Sequence, residues 1–458
     1  MTKCGAEILP DKLRNELQKI ALGACFLGSG GGGGLATGFK FIDDYIQNHC
    51  QGKKIKSLKI ADLDKAQGPG IVVAYMGAPQ KAGGIKCPDA VCAGIEKFSE
   101  KIKKDKKIKD KKFKVIDYII PVEIGPGSTI AACLAAHRLD IPVLDVDGAG
   151  RAVPTLDLIT YTTNGGVSVN PTMLCSEKIS ISGEKADYHQ ITLEISDDTQ
   201  PGAASKMESL ARPVLNMAEF DQRAGLVMWY FEDVTKLKEK ANACVPGTLT
   251  FCQKLGDAIQ SMQWKNGEFS DIEKLFKMQS IYPKPAIRKI CHGTLDSATT
   301  LTAGGFDVGV ITIKGDSTKK GDSTKKDDSE HLYTIIFQNE SLIMWGSEFA
   351  QPLVMAPDLI SYLIKDRKRQ YVFTNDDIMH GGKLKRGLHK KEIVVYAIAA
   401  PEALRVSESN MKKHKKKLCN TIAGAKHNAL LKHYMSVLNT LGYYGPYVPF
   451  YKPLKKDE

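Results

Sequence analysis

Apolar and polar positions change period several times along the chain. In residues 11–25, Leu13, Leu17, Ile20, Ala21 and Ala24 recur at helical spacing, which predicts a first helix with Asp11 as its N-cap. The glycine stretch 27–38 (LGSGGGGGLATG) follows at once, and a second helix is expected over 37–48. Residues 71–76 (IVVAYM) form a continuous apolar run closed by Gly77, the pattern of a central strand, and 88–100 read as a helix. Residues 115–123 and 141–147 are two further buried strands joined by a helix over 129–138. This is a βαβ unit, whose crossover makes its strands parallel.

Past that unit the period shortens. Thr- and Val-rich runs at 158–163 and 167–169 flank Asn164, Gly165 and Gly166 and predict a hairpin, with short β alternation over 179–196. Residues 203–217 and 246–262 return to helical spacing. From 287 to 395, apolar runs recur roughly every ten residues, which predicts a small β-barrel or sandwich. The aromatic and proline-rich residues 441–453 are expected to dock on the body. The fold class is therefore α/β plus β. An N-terminal three-layer α/β domain with a mainly parallel sheet is expected over 1–180, and a hairpin and helical segment packs on it over 181–280. A C-terminal β-barrel-like domain with its tail occupies 281–458.

Composition adds exclusions. Of 458 residues, 43% are hydrophobic and 25% charged, an ordinary globular balance. No apolar run reaches the roughly 18 residues of a membrane span, and the first residues are too polar for a secretory signal, so a cytoplasmic location is expected. The 11 cysteines show no C-x-x-C spacing, which favours reduced, buried thiols. The formal charge of +12 lies entirely in two lysine runs, 101–114 and 412–417. On an otherwise neutral body, these argue for solvated connections and against a specific nucleic-acid partner. A tandem duplication within 315–328 (GDSTKKGDSTKK) reads as an enlarged hairpin loop.

Candidate chemistry gathers at the strand ends. Glu123, Asp145 and Asp147 fall where ligands of parallel sheets collect, and the turn after Glu123 opens a helix whose N–H groups favour an anion or carbonyl oxygen. The five glycines 30–34 lack the preceding strand of a dinucleotide fingerprint and the Gly-Lys-Ser/Thr of a P-loop, yet permit close backbone approach to a ligand. The adjacent Cys291 and His292 would point to opposite faces of a strand and cannot act together.

LGSGGGGG, YMGAP, IPVEIGPGS, LDVDGAGRAVP, GVSVNP, ACVPGTL, TAGGFDVG, FQNESL and APDLI occur in this order between residues 27 and 360. In these motifs the chain resembles the S-methyl thiohydantoin desulfurase family, whose domain is also found attached to hydantoinase/oxoprolinase-type proteins. The resemblance implies a small-molecule substrate: a five-membered cyclic amide, hydantoin or thiohydantoin, that loses a sulfur or S-methyl group to activated water. It implies roles for Gly30, Gly31, Gly32, Gly33, Gly77, Glu123, Gly125, Gly127, Asp145, Asp147, Gly148, Gly150 and Arg151; Ser128 stands where the family usually carries Asn. On that basis Glu123 is the expected general base and Asp147 the residue orienting water or a ring N–H, with Arg151 holding a substrate carboxylate. A divalent metal ion on Asp145, Asp147 and Glu123 is a candidate cofactor, and a homo-oligomer or a hydantoinase-type partner a candidate assembly. The rival reading is a non-catalytic ligand-binding or partner subunit of such an assembly.

Overall fold

The computed structural model describes residues 7–51, 54–77, 86–108, 114–178, 187–240, 242–264, 269–303, 306–316, 331–366, 371–405 and 429–449. Most of the duplicated segment, the second lysine run and the end of the tail lie outside the described residues.

A seven-stranded sheet organises the N-terminal part. Its order is Ile60–Ala61, Val143–Leu144, Tyr118–Pro121, Gly70–Gly77, Arg223–Phe231, Thr172–Cys175, Gln190–Leu193. The first four strands run parallel and the junctions from Gly70–Gly77 onward are antiparallel. The sheet is thus mixed, not mainly parallel. The difference comes from Arg223–Phe231, a central strand inside a region whose flanks have helical spacing. Side chains of alternating parity serve two cores: Ile71, Val73, Ile119 and Val227 join one, while Val72, Ala74, Ile120 and Leu226 join the other. Both faces are therefore covered, and the strands read as unbroken apolar runs.

Four helices, α1 (Pro10–Leu27), α2 (Leu35–His49), α3 (Asp89–Asp105) and α4 (Pro126–Arg138), contribute to the first of these cores. Helix α1 begins two residues earlier than expected, with Pro10 at its first position and Leu9 as N-cap; Asp11 lies in the first turn and pairs with Arg14. Helix α3 runs into the lysine stretch, because Ile102 still faces the core. Against α1 lies the helix Thr248–Ser261. The two backbones meet at Gly256, where a Cβ would stand 1.7 Å from the Lys19 carbonyl oxygen.

Two local expectations fail for identifiable reasons. The second strand of the βαβ unit is split into Val143–Leu144 and Val146–Asp147. Between them Asp145 turns to cap the Thr248–Ser261 helix, and Val146–Asp147 pairs instead with Val245–Pro246. The expected hairpin at 158–169 is a short helix, Thr160–Thr163. Its glycines close that helix: Gly165 N–H donates to the Thr160 carbonyl at 3.0 Å and Gly166, at φ +62°, donates to Thr162 at 2.7 Å. The β-rich, threonine-rich composition was outweighed by this C-terminal glycine signal.

Among the described residues, the C-terminal part is a large antiparallel sheet of nine strands that does not close into a barrel. Its long strand Ile287–Ala303 pairs with Phe306–Gly315 on one side and with Glu392–Ile398 on the other. Closure would bring the edge formed by Glu340–Gly346 and its short partner Val354–Met355 beside Leu359–Ile364. Ser29, from the glycine loop, occupies that gap. Ser341 N–H donates to the Ser29 carbonyl at 2.7 Å, and Ile360 N–H donates to the Ser29 hydroxyl at 2.9 Å. Part of that edge is satisfied by Ser29, 312 residues from Ser341 and 331 from Ile360, and among the described residues the sheet stays open around it.

Nine described cysteines are buried free thiols. Cys291 is in the sheet core, and His292 bridges Asp316 and Glu392 at 2.7 and 2.8 Å, so the two residues work apart as their alternation requires. The tail docks through Val448, whose N–H meets the Met355 sulfur at 3.1 Å, and through Tyr447, whose hydroxyl donates to Asp358. No helix among the described residues is long and apolar enough to cross a membrane.

Candidate functional site

A cavity of about 200 Å³ opens where the two sheets meet the glycine loop. Gly30, Gly31, Gly32 and Gly33 form one wall, Tyr75, Met76 and Gly77 a second, and Glu123, Gly127 and Ser128 a third. The antiparallel sheet and the segment after it supply Asp307, Asn339, Glu340, Asn375 and Asp376. Gly125, Asp145, Asp147 and Arg151 are close by in sequence but do not line the cavity.

The glycines are required by contact. A Cβ on Gly31 would lie 2.0 Å from Glu340 Oε1, and one on Gly32, at φ +76°, would lie 2.4 Å from Gly125 Cα. The loop thus lets Glu340 and α4 approach the same backbone. Gly32 N–H donates to Glu340 Oε1 at 3.3 Å, and its carbonyl accepts from Gly127 and Ser128 N–H at 2.9 and 3.2 Å. The first N–H groups of α4 are therefore used by the loop. Those of α2 are used by Asp377, which accepts from Leu35 and Ala36 at 2.9 and 3.2 Å. Neither helix start is an open anion cradle, which corrects the expectation for both turns.

Glu123 reaches the cavity from the end of the Tyr118–Pro121 strand. Its Oε1 accepts from the Ser128 hydroxyl at 2.9 Å and its Oε2 from Val153 N–H at 2.7 Å. Burial pushes its carboxyl up to about 7, against the pull of those two donors; the Asp147 charge adds to the rise and Arg151 opposes it. Glu340 is more extreme. It is 3% exposed, its Oε2 has no hydrogen-bond donor among the described residues, and burial together with the Glu123 charge raises its carboxyl well above the usual range. Glu123 and Glu340 line the same cavity, and carboxyls that interact titrate as a pair.

The other candidates take structural positions. Asp145 Oδ1 accepts from Leu249 and Thr250 N–H at 2.8 and 3.1 Å, and its Oδ2 accepts from the Thr250 hydroxyl. Asp147, fully buried, accepts from Ala149 and Gly150 N–H at 2.7 and 2.6 Å in an Asx turn. Burial raises it to about 7. Arg151, also fully buried, donates to the carbonyls of Ala152, Pro357, Asp358 and Ser341 at 2.8 to 3.3 Å. Its guanidinium is spent on backbone and lies over the Tyr434 ring. It stands behind the carboxyl pair and does not reach a ligand in the cavity. With Asp145 and Asp147 so engaged, the expected three-carboxylate metal set is not assembled, and no group of three or more His, Cys, Asp or Glu among the described residues is disposed to hold a metal ion. Glu340 was missed, although the FQNESL motif contains it. Its signal is long-range, a contact between residue 340 and Gly31, and no local pattern carries that.

Comparison with known proteins agrees with this architecture. A solved crystal structure of a protein from Chromobacterium violaceum is similar, with a TM-score of 0.68 and 26% identity over 97% of this chain and 100% of that one. No functionally curated protein matches. Residues 15–182 match the S-Me-THD-like N-terminal domain and residues 203–412 the S-Me-THD-like C-terminal domain. The chain therefore belongs to the S-Me-THD-like family, the S-methyl thiohydantoin family that its ordered motifs resemble.

Proposed function

We propose that the protein is a hydrolase that removes sulfur, as thiol or sulfide, from a five-membered cyclic amide of the thiohydantoin class. The observation that carries this reading is the Glu123 and Glu340 carboxyl pair, facing one small cavity against a glycine backbone. A pair holding one proton contains both a base and an acid at neutral pH, which is what the reaction needs.

In this mechanism Glu123, ionised and held by Ser128 and Val153, takes a proton from water as its oxygen bonds to the ring carbon between the two nitrogens. The protonated Glu340 gives its proton to the departing sulfur as the C–S bond breaks. An S-methyl substrate yields hydantoin and methanethiol; a thiohydantoin yields hydantoin and hydrosulfide, the hydroxyl proton of the adduct returning to Glu340 and the proton on Glu123 leaving to solvent. Arg151 limits the charge of the pair from behind, and Asp147 holds the turn that places Arg151.

Purified protein is incubated with S-methyl thiohydantoin and with free thiohydantoin, and released thiol or sulfide is measured. Turnover is expected with at least one ring, falling by about 100-fold or more in Glu123→Gln with little change in melting temperature. Absence of turnover on both rings would overturn the enzyme reading in favour of a ligand-binding or partner subunit.

A further inference from the structure

The helix Ala203–Leu215 is apolar on two sides. Ala204, Met207, Ala211 and Leu215 face the body and are buried. Leu210 and Pro213, with Met217 just past the last turn, recur at helical spacing on the opposite side. Leu210 is 48% exposed and Met217 43%, and Pro213 is exposed as well. Single exposed apolar side chains are ordinary, but a helix that is apolar all round belongs in an interior. A hairpin continues this surface. Arg212 lies over the Phe306 ring at 4.1 Å, and Phe306 shares a strand face with Val308, whose cross-strand partner Leu301 is 72% exposed.

Two charges frame the stripe. Lys206 lies one turn before Leu210 and Glu219 lies two residues after Met217, and neither takes an ion pair among the described residues. Opposite charges at its two ends make the stripe complementary to itself. A twofold axis near Pro213 sets a second helix antiparallel to the first, so that Leu210 meets Met217 and Lys206 meets Glu219, once at each end. A partner of a single charge sign would satisfy only one end. A stable interface needs about 800 Å² from each chain. A helix of 13 residues, about 20 Å long and 10 Å wide, presents only part of that, and the exposed hairpin face beside it supplies more.

We propose that this surface is the interface of a homodimer, with the Ala203–Leu215 helices of two copies of the chain packed antiparallel across a twofold axis. The interface is independent of the ring chemistry proposed above. It touches the candidate site at one place: Glu208 and Arg212 of the same helix line the cavity, so the second copy braces that wall from outside.

Light scattering on the full chain, after size-exclusion chromatography and over a concentration series reaching about 100 μM, is expected to give the mass of two 50.2 kDa chains. Leu210→Asp and Met217→Asp each place a charge in the apolar stripe and are expected to give the monomer with an unchanged circular dichroism spectrum. Lys206→Glu sets like charges against each other at both ends and should weaken the dimer by about tenfold or more. Adding Glu219→Lys to Lys206→Glu reverses both charges and should restore the dimer, a rescue that loss of folding would not show. A monomeric native chain, a dimer that survives both Leu210→Asp and Met217→Asp, or a double variant that associates no more tightly than Lys206→Glu would overturn the proposal.

Discussion

A carboxyl group that is 3% exposed and has one oxygen without a donor is held towards its neutral form, and Glu340 is such a group. Beside it, Glu123 is raised to about 7. In the proposed mechanism the pair works in its singly protonated state, so turnover should give a bell against pH. The acid limb falls near 7, where the pair gains its second proton, and the alkaline limb lies higher, where the last proton leaves. Glu340→Gln should remove the alkaline limb from whatever rate remains; an unaltered bell would take Glu340 out of the chemistry. Asp147 also sits near 7 but by burial inside an Asx turn. Its folded value is above its ordinary 3.8, so its contribution to stability is full below about 3.8 and is lost as pH rises through about 7. Asparagine keeps the acceptor for Ala149 and Gly150 and carries no charge. Asp147→Asn should therefore melt like the native chain at pH near 4 and higher than it at pH near 8. Melting curves at both pH values check this, and a lower melting temperature at pH near 8 would refute it. Sequence could not separate Asp147 from Glu123, since both end a strand of the same crossover. The separation arises from which N–H groups fold back on each.

At the scale of elements, the glycine loop is fixed from both sides, by Asp377 over α2 and by Gly32 under α4. Asp377 accepts from Leu35, Ala36 and Thr374 N–H and from the Thr374 hydroxyl. Asp377→Ala should cost about 2–4 kcal/mol in denaturant unfolding, since it leaves several buried donors without acceptors. A loss no larger than that of an exposed aspartate would mean that water replaces it. The helices and the Gly70–Gly77 and Tyr118–Pro121 strands were legible because their periods are local. The Arg223–Phe231 strand carried its own signal, the run LVMWYF, which was lost among helical neighbours. The short Thr160–Thr163 helix was hidden for the opposite reason: its residues favour strands, and only the closing hydrogen bonds to Gly165 and Gly166 reveal it.

Across the whole molecule, the cavity exists because the antiparallel sheet remains open. Ser29 stands in the gap, with the guanidinium of Arg151 beside it on the Ser341, Pro357 and Asp358 carbonyls, and Ser361 donates its hydroxyl to the Phe26 carbonyl at 2.5 Å. These buried bonds tie distant parts of the chain into one unit. Scanning calorimetry should show one cooperative transition, and two resolved transitions would contradict that coupling. An open sheet plugged by another segment leaves the same strand pattern in sequence as a barrel, which is why the closure was misread while the run of short strands was not. The most direct test of the central claim, that Glu123 and Glu340 together do the proton transfers, is thiol release measured side by side in the native protein, Glu340→Gln and Asp147→Asn. Loss of about 100-fold or more in Glu340→Gln with near-native turnover in Asp147→Asn is expected. Near-native turnover in Glu340→Gln with loss in Asp147→Asn would contradict it.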